Sequence, residues 1–299
     1  MNQPGIPRSY KRTLIHTDLL AVKQVLRRHG LHTVCERAHC PNIVECMRRP
    51  TATFLLLGPV CTRGCGYCQV AHGTPRPPDP NEPEAVAAAV AELSLRYAVL
   101  TSVTRDDLED GGLAHFCSTV RAIKHRTPEV PIEVLTPDFQ GHWPELERLL
   151  SLDLAVFNHN LETVEDLFPA VRPAARYLRS LALLAAVKES RPGQRTKSGL
   201  MVGLGESREQ LRRTFGELAA VGCDVLTVGQ YFPPSRRHVK VLAVYEDEDF
   251  AELTSMATTA GIPVCHAGRY VRSSYHADAD GEVHMAGTAP TNPVPHEPS

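Results

Sequence analysis

The sequence predicts an α/β fold on a parallel sheet, from three observations. Apolar runs of strand length alternate with amphipathic helical stretches through most of the 299 residues. The alternation yields six strand–helix units, and strands that return through a helix run parallel, with right-handed crossovers. Six of the nine cysteines fall in two triplets. These are Cys61, Cys65 and Cys68 as CxxxCxxC and Cys35, Cys40 and Cys46 as CxxxxCxxxxxC, and the first opens where a strand gives way to a loop.

Each element follows from its local pattern. Residues 53–58 read T-F-L-L-L-G, a buried strand closed by glycine. Five more apolar runs read as strands: 97–103, 132–135, 154–157, 198–202 and 224–228. Helical periodicity fills the gaps at 83–95, 114–125, 143–150, 174–189 and 208–220, and a last helix at 247–260 follows the sixth strand. Working residues of such βα folds gather at the C-terminal ends of the strands. The cysteine loop and the segments 101–107, 158–162, 203–206 and 230–237 all follow strands, so they are expected at one mouth.

Two extensions flank this region. Residues 1–50 carry the triplet Cys35, Cys40 and Cys46, too widely spaced for one helical face and interrupted by Pro41. A loop wrapped around a metal group is the expectation there. Residues 51–265 form the α/β domain. Residues 266–299 hold Arg272-Ser273-Ser274-Tyr275 and then lose hydrophobic periodicity. The last ~20 residues have the composition of a disordered tail, with His276, His284 and His296 read as solvated.

Composition narrows the function. Lys and Arg total 32 against 34 Asp and Glu, a net charge of −2, which gives no electrostatic support to nucleic-acid binding. The apolar runs are too short to span a bilayer, and no secretory signal pattern opens the chain. An odd cysteine count at cluster-like spacings predicts a reducing cytoplasm. Three thiolates leave one iron of a four-iron cubane open. Two triplets therefore point to two clusters and to chemistry at iron. Structural zinc wants four ligands, and His72 is the one local candidate to complete a zinc site on the first triplet. Cys117, Cys223 and Cys265 have no partners at ligand spacing and read as buried small residues.

The CxxxCxxC loop after a buried strand resembles that of the radical S-adenosylmethionine (SAM) superfamily. The resemblance implies a partial (β/α)6 TIM-type barrel with N-terminal and C-terminal cluster-binding extensions. It implies a [4Fe–4S] cluster on Cys61, Cys65 and Cys68 whose open iron chelates SAM. Tyr67 then takes the position against the adenine. Thr101 and Ser102, after the second strand, take that of the SAM amino group. Asn158, Asn160 and Glu162 face ribose or substrate, and Arg176 reaches for the SAM carboxylate. Gly203 and Glu206, with Gly199 and Gly205, form the fifth-strand contact, where glycine allows close backbone approach.

The second triplet together with R-S-S-Y resembles the lipoyl synthases more narrowly. So do T-A-T-F-L-L-L-G at 51–58, V-A-H-G at 70–73, L-T-S-V-T-R-D-D-L-E-D-G-G at 100–112 and E-V-L-T-P-D-F at 133–139. Further matches are F-N-H-N-L-E-T-V at 157–164, K-S-G-L-M-V-G-L-G-E at 197–206 and G-Q-Y-F-P-P-S-R-R-H at 229–238. This resemblance implies insertion of two sulfurs, at C6 and C8 of an octanoyl chain on a carrier lysine. Each insertion uses one SAM, and an auxiliary [4Fe–4S] cluster is the sulfur source. Cys35, Cys40, Cys46 and Ser274 hold that cluster, with Ser273 the alternate. Alkoxide is a harder, more readily protonated ligand than thiolate, so serine-bound iron is released as the cluster opens. The implied partners are an octanoylated carrier (a lipoyl domain or a glycine-cleavage H-protein type), an electron donor such as ferredoxin or flavodoxin, and an iron–sulfur carrier that rebuilds the cluster.

This chain departs from the family pattern at Met47 after Cys46, at Gly64, Gly66 and Tyr67 in place of Arg, Pro and Phe, and at Gln69 after Cys68. None removes a ligand. Two alternatives stay open at this level: a biotin-synthase-like sulfur-inserting enzyme and a non-catalytic iron–sulfur carrier. Arg236, Arg237 and His238 follow the sixth strand, where a basic run is usually a solvated face.

Overall fold

The computed structural model describes residues 17–37, 42, 46, 49–143, 145–275 and 277–279. Its main sheet has seven strands: β1 (Thr51–Leu56), β2 (Tyr97–Ser102), β3 (Ile132–Leu135), β4 (Val156–Asn158), β5 (Thr196–Val202), β6 (Val225–Gln230) and β7 (Val264–Gly268). They lie side by side in chain order, and every neighbouring pair is parallel. Sequential order fixes the architecture. Each crossover steps in the same direction, and crossovers of one hand then put every helix on one face. The bare face is shielded only if the sheet curls around it. That makes a partial barrel of six βα units, with β7 as a seventh strand that the sequence pattern did not predict. β7 crosses the expected boundary at residue 265.

Helices α2 (Glu82–Glu92), α3 (Leu113–Arg126), α4 (Leu146–Leu150), α5 (Tyr177–Ser190), α6 (Arg208–Ala220) and α7 (Asp247–Ala260) fill the crossovers; α1 (Thr17–Arg28) precedes the sheet. Local chemistry sets their ends. Pro83 opens α2, where its missing N–H costs no helical bond. Ser207 and Gln210 form a reciprocal capping box on α6. Gly261 stops α7 at φ +102°, a conformation glycine adopts without strain. The expected helix at 143–150 is observed over Leu146–Leu150, after a 3-10 turn at Phe139–Gly141 capped by Asp138.

Alternation along the strands separates two surfaces. Leu56, Leu100, Ile132, Val134 and Phe157 pack with α2 and α3 in one apolar cluster, while Leu200, Val202, Leu226 and Val228 pack with α6 and α7 in a second. At about 1.5–3 kcal/mol per buried aliphatic or aromatic side chain, this outer layer carries the stability. The residues between them form the concave face: Thr101, Glu133, Asn158, Lys197, Gly199, Thr227 and Gly229. That face is polar or small. Glu133 and Lys197 are fully buried across it, Nζ to Oε2 at 3.7 Å, and Asn158 Nδ2 donates to Glu133 Oε1 at 2.8 Å.

The two extensions meet beside this face. Thr33 bridges Phe54 of edge strand β1, and Leu55 N–H donates to the His32 carbonyl at 2.9 Å. Asn42 Nδ2 donates to the Tyr270 carbonyl at 2.6 Å, and Arg49 donates to both carboxylate oxygens of Asp278 at 3.0 Å. After β7 the chain turns into the concavity. A Cβ on Gly229 would collide with the Val271 carbonyl, and Ala277 is buried with Tyr97, Val99, Ala155 and Val156. Among the described residues no helix is long and apolar enough to cross a membrane. Cys40, Pro41, Met47, His276 and the tail at 280–299, including His284 and His296, lie outside the described residues.

Candidate active site

The cysteine loop runs between the two-residue strands Val60–Cys61 and Ala71–His72, which pair with each other. Three neighbouring segments suspend it. From the end of β2, Thr104 accepts the Thr62 N–H and donates its own N–H to Cys61 Sγ at 3.3 Å. After β4, the Val171 carbonyl accepts the Gly66 N–H at 2.9 Å. After β6, Val239 N–H donates to the Gly66 carbonyl at 3.0 Å, and His238 Nε2 lies 3.1 Å from the Cys68 carbonyl. The Gly66 departure has a local reason. Proline has no N–H to give Val171, and a Cβ at Gly66 would stand 2.7 Å from Val239 Cγ2. His72 is exposed beside Gly64.

A buried ion network braces the loop. Arg63 donates to both oxygens of Asp106 at 2.7 and 2.8 Å and to Asp138 Oδ1 at 2.7 Å. Arg179 of α5 reaches Asp138 Oδ2 at 3.5 Å. The side chain of Asp138 is 0% exposed and that of Arg63 3%. Burial pushes the Asp138 carboxyl up, but hydrogen bonding and charge from Arg63 outweigh it and hold the group below its ordinary value. The same two carboxylates, against burial, hold the Arg63 guanidinium protonated above its usual range.

A second network lies across the mouth. Arg172 is buried and donates to the carbonyls of Asn160 and Leu161 at 2.9 and 3.2 Å. Asn160 Nδ2 donates to Glu162 Oε1 at 3.1 Å. Glu162 sits at φ +70°, an uncommon conformation for a side-chain-bearing residue, held by its N–H on the Gly199 carbonyl at 2.9 Å. Burial raises its carboxyl above the ordinary range, opposed by Arg172. Burial also pushes the Cys68 thiol up to about 12 and raises that of Cys65.

His159 is buried, with Nδ1 2.8 Å from the Thr136 carbonyl. Burial, then the charge of Arg172, lower its pKa to about 4. Unfolded histidine titrates near 6.5. Between the two values the unfolded chain takes up the proton and the folded chain does not. Stability from this group is therefore full above pH 6.5 and falls as pH drops toward 4. From pH 7 to pH 5 the native protein is expected to lose about 2 kcal/mol more than His159→Asn does, read from urea midpoints. Equal losses would mean that His159 is not held neutral.

Four strand-end polar atoms are buried without a hydrogen-bond partner among the described residues: Ser102 Oγ, Thr136 Oγ1, Asn158 Oδ1 and His159 Nε2. Native proteins rarely leave such atoms unpaired, and at the strand ends they are the polar groups available to a ligand.

Residues 55–218 match the model of the radical SAM superfamily. Over 267 residues the chain is 49% identical to lipoyl synthase from Methylococcus capsulatus, covering 89% of this chain and 83% of that one. The chain belongs to the lipoyl synthases of the radical SAM superfamily. Lipoyl synthase from Alkaliphilus metalliredigens is likewise 49% identical, over 89% of this chain and 92% of its own. Methylornithine synthase shares the fold alone, at 12% identity and a TM-score of 0.51 over 87% of this chain and 80% of that one. As a radical SAM lipoyl synthase the chain uses SAM and two [4Fe–4S] clusters, and it acts on a lipoyl-carrier protein. Its residues fit these groups: the unpaired strand-end atoms offer polar contacts, and the cysteine loop offers three thiols. Among the described residues no three of His, Cys, Asp and Glu converge on a single metal ion. A cubane spreads its thiolates over different irons, so that spacing is compatible with a cluster.

Against this family frame the expected contacts sort themselves. Tyr67 packs beside Val171, Leu204 and Tyr231, and burial, then the charge of Glu162, raise its phenol. Thr101 Oγ1 is committed to the Leu135 carbonyl at 2.8 Å, leaving Ser102 as the hydroxyl without a partner. Glu206 closes the Gly-rich turn of the lipoyl synthase: its carboxylate accepts from Gly203 N–H, Leu204 N–H and Tyr245 OH. Arg176 is exposed at the start of α5, and Arg172 is the arginine brought to the site. Arg172, Asp138, Arg63 and His159 were missed in sequence. The only signals were an arginine inside CxxxCxxC, the T-P-D-F corner and the histidine of F-N-H-N. Cys117 and Cys223 are buried and Cys265 half-buried; all three thiols are raised by burial.

Proposed function

We propose that Cys61, Cys65 and Cys68 hold the barrel cluster and that Cys35, Cys40, Cys46 and Ser274 hold the auxiliary one. Residues 1–50 and 266–299 then serve as cluster-binding extensions of the domain at 51–265. The observation that carries this division is the pairing of the extensions, Asn42 with the Tyr270 carbonyl and Arg49 with Asp278, which brackets the R-S-S-Y turn. When bound, SAM and the barrel cluster supply a 5′-deoxyadenosyl radical for hydrogen abstraction, and the auxiliary cluster supplies sulfur for C6 and C8 of the octanoyl chain. The chain's own residues orient and exclude. Ser102, Thr136, Asn158 and His159 offer polar contacts to SAM at the strand ends, with Tyr67 against the adenine. Gly203, at φ +95°, leaves room for the chain's own Gln230 side chain and Ala243 carbonyl, and Arg172 with Glu162 fixes the loop after β4. Neutral His159 adds no charge to the pocket. Thr101 and Asn160 act through the backbone and through Glu162.

A lipoyl domain or H-protein type is the carrier, a ferredoxin or flavodoxin the electron donor, and an iron–sulfur carrier restores the auxiliary cluster. The cytoplasm supplies the reducing setting these need. The test is anaerobic protein with reductant, SAM and an octanoyl-lysine peptide. The expected result is brown protein with about eight irons per chain and a product carrying two added sulfurs by mass. Sulfur added to dethiobiotin instead would overturn the substrate reading in favour of a biotin-synthase-like activity.

A further inference from the structure

The R-S-S-Y turn is wired to the cysteine loop by side chains. Ser273 Oγ donates to Asn160 Oδ1 at 2.8 Å. Asn160 Nδ2 donates to Glu162 Oε1 at 3.1 Å. Tyr67, the residue before Cys68, comes next, where burial and the charge of the Glu162 carboxylate raise its phenol. Two hydrogen bonds and one charge contact thus join the C-terminal extension to the barrel-cluster loop. The strand beneath leaves room for them. A Cβ on Gly199 would stand 2.6 Å from Ser273 Oγ and 2.8 Å from Asn160 Oδ1, closer than packed atoms allow. The middle of the path is rigid, because Glu162 is bonded to β5 through its N–H on Gly199 and its carbonyl on the Met201 N–H, both at 2.9 Å.

We propose that Ser273 is a positioning residue rather than an iron ligand. Its hydroxyl is committed to Asn160, and it couples the seating of the auxiliary cluster to the order of the SAM-facing loop. The proposal rests on Ser274 being the ligand of the auxiliary cluster. When the neighbouring serine is fixed on iron, Ser273 is held against Asn160, which presents Glu162 to Tyr67. The two sites then bias one shared element, which is what coupling between sites requires. Coupling of this kind is reciprocal: SAM binding and auxiliary-cluster retention each favour the other.

The test uses the full chain with both clusters assembled. Iron is counted, and SAM is titrated into the reduced protein while the electron paramagnetic resonance signal of the barrel cluster is followed. Ser273→Ala is expected to keep about eight irons per chain and to bind SAM roughly tenfold more weakly. Gly199→Ala, which wedges the same contact from the strand side, is expected to weaken SAM binding in the same direction. The double variant is expected to be no worse than the weaker-binding single, since both break one contact. Full iron with SAM affinity within about twofold of the native protein would overturn the coupling and leave the ligand assignment standing. Loss of about four irons in Ser273→Ala would make Ser273 the ligand and overturn the proposal. Ser274→Ala reports on the assignment separately: about four irons lost supports it, and full retention removes its basis.

Discussion

Replacing Cys61, Cys65 or Cys68 with alanine is expected to abolish 5′-deoxyadenosine formation, while replacing Cys35, Cys40 or Cys46 leaves uncoupled SAM cleavage and blocks sulfur transfer. The first set is severe because a three-thiolate site has no spare ligand. The loop is also built around its sulfurs. Cys61 Sγ accepts the N–H groups of Arg63 at 3.4 Å and Thr104 at 3.3 Å, so its loss unpairs two backbone donors as well as one iron. The second set is milder toward SAM cleavage at saturating SAM, because the N-terminal triplet stands on an extension outside the βα units. Chromatography of the nucleoside and mass analysis of the octanoyl product separate the two outcomes. Identical behaviour of both sets would remove the division of labour between the clusters.

Asp138→Asn is expected to lower the unfolding free energy by roughly 3–5 kcal/mol, the range for breaking a buried ion pair by removing one partner. Asp138 is fully buried between Arg63 and Arg179, and its loss leaves the nearly inaccessible Arg63 guanidinium short of a counter-charge. Desolvation makes that costly, where exposure would make it cheap. Asp106→Asn is the internal control. It removes a bidentate partner of the same arginine, but Asp106 is 29% exposed, so water replaces part of what is lost and about 1 kcal/mol is expected. Urea midpoints for the two variants decide it. Equal losses would show that burial does not govern this network. The larger loss is also expected to slow cluster assembly, since Arg63 lies inside the CxxxCxxC loop.

Much of the fold was legible because it rests on local rules. The strand at 132–135 and the helices at 208–220 and 247–260 have the expected bounds, each with a strong periodic pattern, a capping box or a terminal glycine. The seventh strand was not, because V-C-H-A-G is half-exposed and carries histidine and glycine in place of an apolar run, and it forms a strand by pairing with β6. The same distinction runs through the site. Spacing alone marks cysteine triplets, since a ligand set is written in residue type and interval. Arg172 and Arg176 look alike in sequence, and the loop after β4 decides which of them is buried. Thr101 and Ser102 are adjacent, and the bond to the Leu135 carbonyl decides which hydroxyl stays without a partner.

Residue order alone carries the class of chemistry and the family, because thiol spacing and strand–helix alternation are properties of neighbouring residues. How charge and hydroxyls are distributed around that chemistry depends on long-range packing. Asp138 under Arg63, neutral His159 and Ser273 against Asn160 join residues up to 113 positions apart. Such contacts follow from how the parallel sheet curls, and no local pattern encodes which side chains that curvature brings together.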